Sequence, residues 1–294
     1  MTRADNATRA GQDIGGLASL RGLEAVTGQL EQWIAVVRAE QARRQAGAMI
    51  SRPIWKNLVF TGGRGAGKSR AARAVTRIYH DLGILTYGHL EEVAAATLVG
   101  STSEETGTLL GQAVREAGGS VLMITGAHAW RELPDRGQQM LARLYRELTS
   151  ARDQWGDKLA VILAGHTVPV GELLDASPAM AARFPVVIEF PGYTLSQLAA
   201  VFATLAGEAG FALTPDAVDK AAAALALTDG GGGSGNARAA VQLLDQARHA
   251  QARRIAHLPG GPSQGVLGMI TADDIPGHLP FRDPGSDQQA GHYL

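Results

Sequence analysis

The sequence predicts an α/β fold, a parallel five-stranded sheet flanked by helices, followed by a small all-helical domain. Three observations predict it. Short, continuously apolar runs (NLVFT, SVLMIT, LAVILAG, PVVIEF) alternate with segments whose apolar residues recur at helical spacing. Strands that are apolar on both faces belong in a parallel sheet covered on both sides. After FPGYT the strand-like runs cease and helical patterns take over, and between the first strand and its helix lies a glycine-rich loop, GGRGAGKS.

Residues 1–20 are polar and glycine-rich and read as a mobile N-terminal segment. The main domain is expected over 21–192. It opens on a helix in which Leu23, Val26, Leu30, Ile34 and Val37 share a face, with Gly47 as its stop. NLVFT is the first strand, and the helix after it turns Val75, Ile78, Tyr79 and Leu82 inward. ILTYGHL, residues 84–90, is expected as the second strand. TSEETGTLLGQAVREAGG reads as a helix ended by Gly118 and Gly119, and SVLMIT as the third strand. A helix comes next with Leu141, Leu144, Tyr145 and Leu148 facing in, then LAVILAG and PVVIEF as the fourth and fifth strands. Over 193–257 three helices are expected, with Thr194 and Thr214 as N-caps and Pro215 in a first helical position. DGGGGSG, residues 229–235, reads as a flexible connector between two of them. Residues 258–294 read as a Pro- and Gly-rich tail with one short helix near TADDI.

Composition excludes several classes. The chain has 294 residues, 45% hydrophobic and 19% charged, which is globular rather than disordered. A net charge of −1 supplies no field to gather nucleic acid or an anionic membrane surface. No run approaches the roughly 18 apolar residues of a membrane span. Neither nucleic-acid binding nor membrane insertion is expected. Cysteine is absent, so there is no disulfide framework or thiolate metal site. The first residues lack the apolar run of a secretion signal, and the expected location is cytoplasmic.

The loop Gly62-Gly63-Arg64-Gly65-Ala66-Gly67-Lys68-Ser69 satisfies G-x-x-x-x-G-K-[ST]. Glycines let consecutive backbone N–H groups turn toward phosphates. The lysine reaches the outer phosphates, the serine hydroxyl is a magnesium ligand, and the helix N-terminus adds its dipole. Only Lys56, Lys68, Lys158 and Lys220 are lysine, against 23 arginines, so a lysine at the motif position carries weight. ATP with Mg2+ is the expected cofactor, held by residues 62–69 with Ser69 on the metal.

The segments GLEAVTGQLEQWIAVVRAEQARRQAG, NLVFTGGRGAGKSRAARAVTRIYHDLG, LAVILAGH, RFPVVIEFPGYT and GNARAAVQLLDQARHAQARRI come in the order of the CbxX/CfxQ family of AAA+ ATPases, which the chain resembles over roughly residues 20–257. The resemblance implies a P-loop AAA+ domain with a helical lid, a homo- or hetero-hexamer with AAA+ subunits, and a protein substrate remodelled at the pore. It implies that Arg183, in AARFP, reaches the neighbouring subunit's γ-phosphate, although a lone arginine there also reads as a solvated helix end. It implies that Arg238, in GNAR, contacts bound phosphate from the start of a lid helix, where a surface arginine is the plainer reading. Leu23 falls where such proteins line the adenine pocket, or simply in a helix core.

Two motifs depart from the family. Where it has Walker B acids, SVLMITGAH places Thr125 and Gly126. Glycine cannot act as a base, and loss of a general base costs about 10²–10⁴ in rate. His128 and Glu132 stand nearby as candidate substitutes, although an isolated histidine also reads as structural. In the pore segment, Leu98 replaces an aromatic and precedes Val99, Gly100 and Thr102, with Glu104 and Glu105 where a lysine is usual. An ordinary surface loop is the alternative. Three readings stay open: an ATP-binding ring subunit with weak or absent hydrolysis, an active remodelling ATPase with an atypical base, or a P-loop kinase, for which no second-substrate site is visible.

Overall fold

The computed structural model describes residues 17, 20, 23–49, 56–133, 136–227, 237–257 and 264–277. Most of the expected N-terminal segment, the 229–235 connector and the end of the tail lie outside them. Leu17 and Leu20, from that N-terminal segment, are buried. The described chain forms two compact units, one of Glu24–Gly62 and Lys68–Phe190 with Leu17 and Leu20, the other of Leu23, Gly63–Gly67 and the chain from Pro191.

The first unit is a doubly covered parallel sheet. Helix α1 (Glu24–Gln45) buries Val26, Leu30, Ile34 and Val37 of the stripe its spacing predicts, and Trp33 as well, while Leu23 precedes it. Gly47, at φ +74°, terminates it in the left-handed conformation. Strands β1 (Leu58–Gly62), β2 (Leu90–Ala94), β3 (Val121–Thr125), β4 (Ala160–Gly165) and β5 (Val186–Phe190) assemble in the order β2-β3-β4-β1-β5, all parallel. Helix α2 (Lys68–Asp81) packs on β1 and β2. Helices α3 (Ser103–Glu116), α4 (Arg136–Trp155), α5 (Thr167–Asp175) and the short α6 (Pro178–Ala181) come next along the chain. One core joins Leu110 and Val114 of α3, Leu122 and Ile124 of β3, Leu141 and Leu144 of α4, and Val161 and Leu163 of β4. Buried Asn57 locks the start of β1 in place. Its Oδ1 accepts from the Val161 N–H at 2.8 Å and its Nδ2 donates to the Arg183 carbonyl at 3.0 Å.

One strand is shifted from its expected place. The apolar run before Gly88 is not β2. Ile84 and Leu85 are buried in a connecting turn, and the paired strand is LEEVA, in register Leu90↔Val121 through Ala94↔Thr125. β2 is an edge strand with one neighbour, and edges tolerate charge where central strands do not. Its two glutamates hide it from a search for apolar runs.

The second unit is helical, with a small exception. Helix α7 (Leu195–Glu208) starts in a capping box: the Thr194 hydroxyl accepts from the Gln197 N–H, and the Gln197 side chain accepts from the Thr194 N–H. Helix α8 (Pro215–Ala226) has Thr214 at its N-cap and Pro215 in its first turn, but the threonine side chain makes no capping bond. Helix α9 (Ala237–Ala256) buries Ala240, Leu243, Leu244 and Ala247. Strands do not stop at Phe190. β6 (Ala212–Leu213) pairs in parallel with β7 (Met269–Ile270), which comes after the short helix α10 (Gln264–Leu267). The segment 264–277, expected to belong to the tail, is part of this unit, with the short helix expected near TADDI at Ala272–Asp274 and with Ile270 and Ile275 buried. It is fastened by Asp274, 1% exposed at its side chain, which accepts from Arg254 Nε at 2.8 Å and Nη2 at 2.7 Å. Burial opposes the Asp274 charge, yet the bidentate Arg254 pair and the Thr271 hydrogen bonds hold its carboxyl below the usual range. Twenty residues separate these two partners, and no local pattern links them. No helix among the described residues is long and apolar enough to cross a membrane.

Candidate nucleotide site

Within the first unit, β1 ends at Gly62, where φ is +141° and a Cβ would run into the Phe190 carbonyl oxygen of β5. Only glycine fits. Lys68 and Ser69 open α2. The Lys68 ammonium donates to the Gly62 carbonyl at 2.8 Å, so the lysine folds back over the strand end. The Ser69 hydroxyl donates to Glu92 Oε1 on β2 at 2.7 Å, and Arg73, one turn along α2, lies 3.8 Å from Glu92 Oε2. Sequence reading misses Glu92. It stands outside every apolar run, and no local motif marks it.

Within the second unit, Gly63–Gly67 form a tight turn in which the Ala66 N–H donates to the Gly63 carbonyl at 3.4 Å. Gly65 and Gly67 have φ of +74° and +90°. A Cβ on Gly67 would meet Leu23 at 2.7 Å and the Tyr193 hydroxyl at 2.8 Å. Leu23 therefore lies against the glycine turn, next to Tyr193, which the sequence marks only as part of a domain boundary. Arg64 is exposed at the turn and Ala66 is buried. The Ala237 N–H, in the first turn of α9, donates to the Gly65 carbonyl at 3.0 Å, and the next residue is the exposed Arg238. The helix that bears Arg238 thus begins on the glycine turn itself.

At the end of β3, Thr125 is half-buried and its hydroxyl makes a long bond of 3.4 Å to the Val93 carbonyl. Gly126 takes φ +70° and starts a short turn. The His128 ring meets the ring of His166, just past β4, edge to face at 4.3 Å between centroids. Glu132 is exposed.

Two of the expected site residues lie in enclosed surroundings. Arg183 is neither projecting nor solvated. It is 8% exposed, with its guanidinium 3.9 Å from the centre of the Tyr145 ring and Nη2 donating to Thr149 Oγ1 at 3.0 Å, both on α4. A cation on an aromatic face with a hydroxyl acceptor is held, not free. Leu98 is enclosed as well. It is 3% exposed inside the core, Val99 is half-buried and Gly100 is buried. The Gly100 N–H is tied to Thr106 Oγ1 at 3.0 Å and the Ser101 N–H to Glu105 Oε2 at 2.6 Å. The surface here is Ser101 to Glu105, polar and acidic.

The residues present fit a triphosphate with its metal. Within the first unit a side chain would fill the space at Gly62. The same unit holds Lys68 and the Ser69 hydroxyl, the two groups that would hold the outer phosphates and Mg2+. Among the described residues no group of three His, Asp or Glu side chains could cage a metal. Mg2+ is commonly held by one or two protein oxygens together with substrate phosphates, and the Ser69 hydroxyl is one such oxygen. When bound, the cation neutralises charge on the phosphate oxygens.

A model of the ATPase family associated with various cellular activities (AAA) matches residues 58–192, and a model of the AAA lid domain matches 194–284. The protein CbbX of Cereibacter sphaeroides is 29% identical over 261 residues, covering 87% of this chain and 82% of that protein. The chloroplastic ribulose bisphosphate carboxylase/oxygenase activase of Cyanidioschyzon merolae is 29% identical over 257 residues, covering 87% of each. Among solved structures, the RuvB Holliday junction branch migration motor of Thermotoga maritima has a TM-score of 0.52 at 19% identity, covering 88% of this chain and 68% of that one, a likeness of fold alone. With a sheet domain and a helical lid matched in order over most of its length, the chain belongs to the AAA ATPases, and it is similar to CbbX and the activase over 87% of its residues.

Proposed function

We propose that this protein binds ATP with Mg2+ as a ring subunit of a protein-remodelling assembly and hydrolyses it weakly or not at all. The observation that carries this reading is the contrast at two strand ends: an intact glycine turn with Lys68 and Ser69 after β1, and Thr125-Gly126 without a carboxylate after β3. Arg238 on the helix that begins at the glycine turn supports a lid that senses nucleotide. The burial of Arg183 and Leu98 among residues of their own unit supports a regulatory or structural subunit over a motor. The ring is homomeric or shared with an active AAA+ subunit. The names of the relatives, an activase among them, make a protein substrate the expected class.

The test is ATP turnover by the purified protein, with Lys68→Ala as control. The expected rate lies below about 1 s⁻¹, the lower edge of ordinary enzymes, while nucleotide binding is retained and is lost in Lys68→Ala. A second reading, an active ATPase with an atypical base, is favoured by the pairing of His128 with His166 at the ends of β3 and β4. Turnover above about 1 s⁻¹ that disappears in Lys68→Ala and falls at least ~100-fold in His128→Ala would establish it instead.

A further inference from the structure

We propose that Glu92 is a positioning residue for the metal, a carboxylate lent by β2 in place of the acid that β3 lacks. The inference rests on the reading of 62–69 as an Mg2+–ATP turn.

Register sets where the carboxylate lies. Glu92 pairs with Met123, and Ala94 with Thr125. Alternate residues of a strand share a face. Glu92, Met123 and Thr125 therefore lie on one face of the sheet, while Val93, Leu122 and Ile124 turn to the core on the other. Glu92 sits one strand across from Thr125 and two residues earlier, about 8 Å away by strand spacing and rise. A carboxylate that cannot come from the end of β3 is thus brought to the same face from the neighbouring strand.

The observed bond sets the chemistry. Ser69 donates its proton to Glu92 Oε1 at 2.7 Å, the short length of an O–H···O⁻ hydrogen bond. A hydroxyl whose proton is taken by a carboxylate keeps its lone pairs for a cation. The same acceptor fixes the Ser69 rotamer, and the carboxylate adds negative charge next to the serine oxygen. Partners of this kind, which touch the ligand and not the metal, commonly contribute about 10–100-fold to metal affinity. Arg73, 3.8 Å from the second carboxylate oxygen, balances the charge and holds the Glu92 side chain over α2. Glu92 lies on an edge strand with its side chain 32% exposed, so its removal leaves the core intact.

The test compares binding of a fluorescent ATP analogue in Mg2+ and in EDTA for the full chain, Glu92→Ala and Glu92→Gln, with thermal unfolding of the nucleotide-free proteins to verify the fold. The expected result is a roughly 10–100-fold weaker Kd in Mg2+ for both variants, with the Kd in EDTA unchanged. Thr125→Asp in the Glu92→Ala background is expected to recover most of the Mg2+ dependence, since it returns a carboxylate to the same face. Equal Mg2+ dependence in wild type and variants overturns the proposal. So does tighter binding in Glu92→Ala with and without metal, which would make Glu92 a carboxylate that repels phosphate. If the wild-type chain binds the analogue in neither condition, the reading of the glycine turn itself fails, and this inference with it.

Discussion

Strands β1 and β3 share a burial pattern, four buried residues and a half-buried fifth, and both lie inside the sheet rather than at its edge. Both lead into a glycine at positive φ, +141° at Gly62 and +70° at Gly126. Beyond Gly62 the chain delivers Lys68 and Ser69 at the start of a helix. Beyond Gly126 it delivers a short turn with His128, whose ring meets that of His166 after β4. The strands are alike because the core requires it. Their ends differ because the half-buried last positions and the turns beyond them carry different residues, Gly62 leading to a glycine turn and Thr125 to Gly126. Retaining a strand therefore says nothing about retaining its chemistry, and the two ends respond differently to substitution.

The largest expected effect comes from giving β3 the groups it lacks. Thr125→Asp with Gly126→Glu is expected to raise ATP turnover by about 10²–10⁴, read as phosphate release. There is room, because the nearest atom to a Cβ at Gly126 is His128 Cε1 at 4.0 Å. The left-handed backbone opposes the change by only about 1–2 kcal/mol. An unchanged rate would place a further defect elsewhere, with the buried Arg183 as the first candidate.

Next come the two glycines themselves. Gly62→Ala is expected to destabilise the protein by about 3 kcal/mol in denaturant unfolding, since backbone strain adds to a collision with the Phe190 carbonyl on β5. Gly126→Ala is expected to cost about 1 kcal/mol, from strain alone. A reversed order would mean that the end of β3 is the more tightly built of the two.

Much of the fold is legible in the sequence. The continuous apolar strands, the helix faces such as Leu30-Ile34-Val37 and the glycine turn are written in local patterns, and local patterns are what a chain reading detects. Glu92 is not legible. Its strand carries two glutamates because it is an edge, and its partner Ser69 is 23 residues earlier. Arg254 and Asp274 escape for the same reason, a pair formed only by tertiary packing. Arg183 and Leu98 are visible as residues but not as environments. Nothing in AARFP says that Tyr145 lies beneath the guanidinium, and nothing in TLVG says that the leucine turns inward.

The smallest effect tests the contrast most directly. Thr125 could carry residual support for the metal through its hydroxyl, which would make the two strand ends less different than they look. Its hydrogen bond is long, 3.4 Å to a backbone carbonyl, and such contacts contribute little. Thr125→Val keeps the shape and removes the hydroxyl, so stability is expected to change by no more than about 0.5 kcal/mol, below a normal hydrogen bond. The Kd for the ATP analogue in Mg2+ is expected to stay within twofold of wild type. A tenfold loss confined to Mg2+ would assign the metal's support to Thr125 and not to Glu92. The end of β3 would then be altered in residue type but not emptied of function.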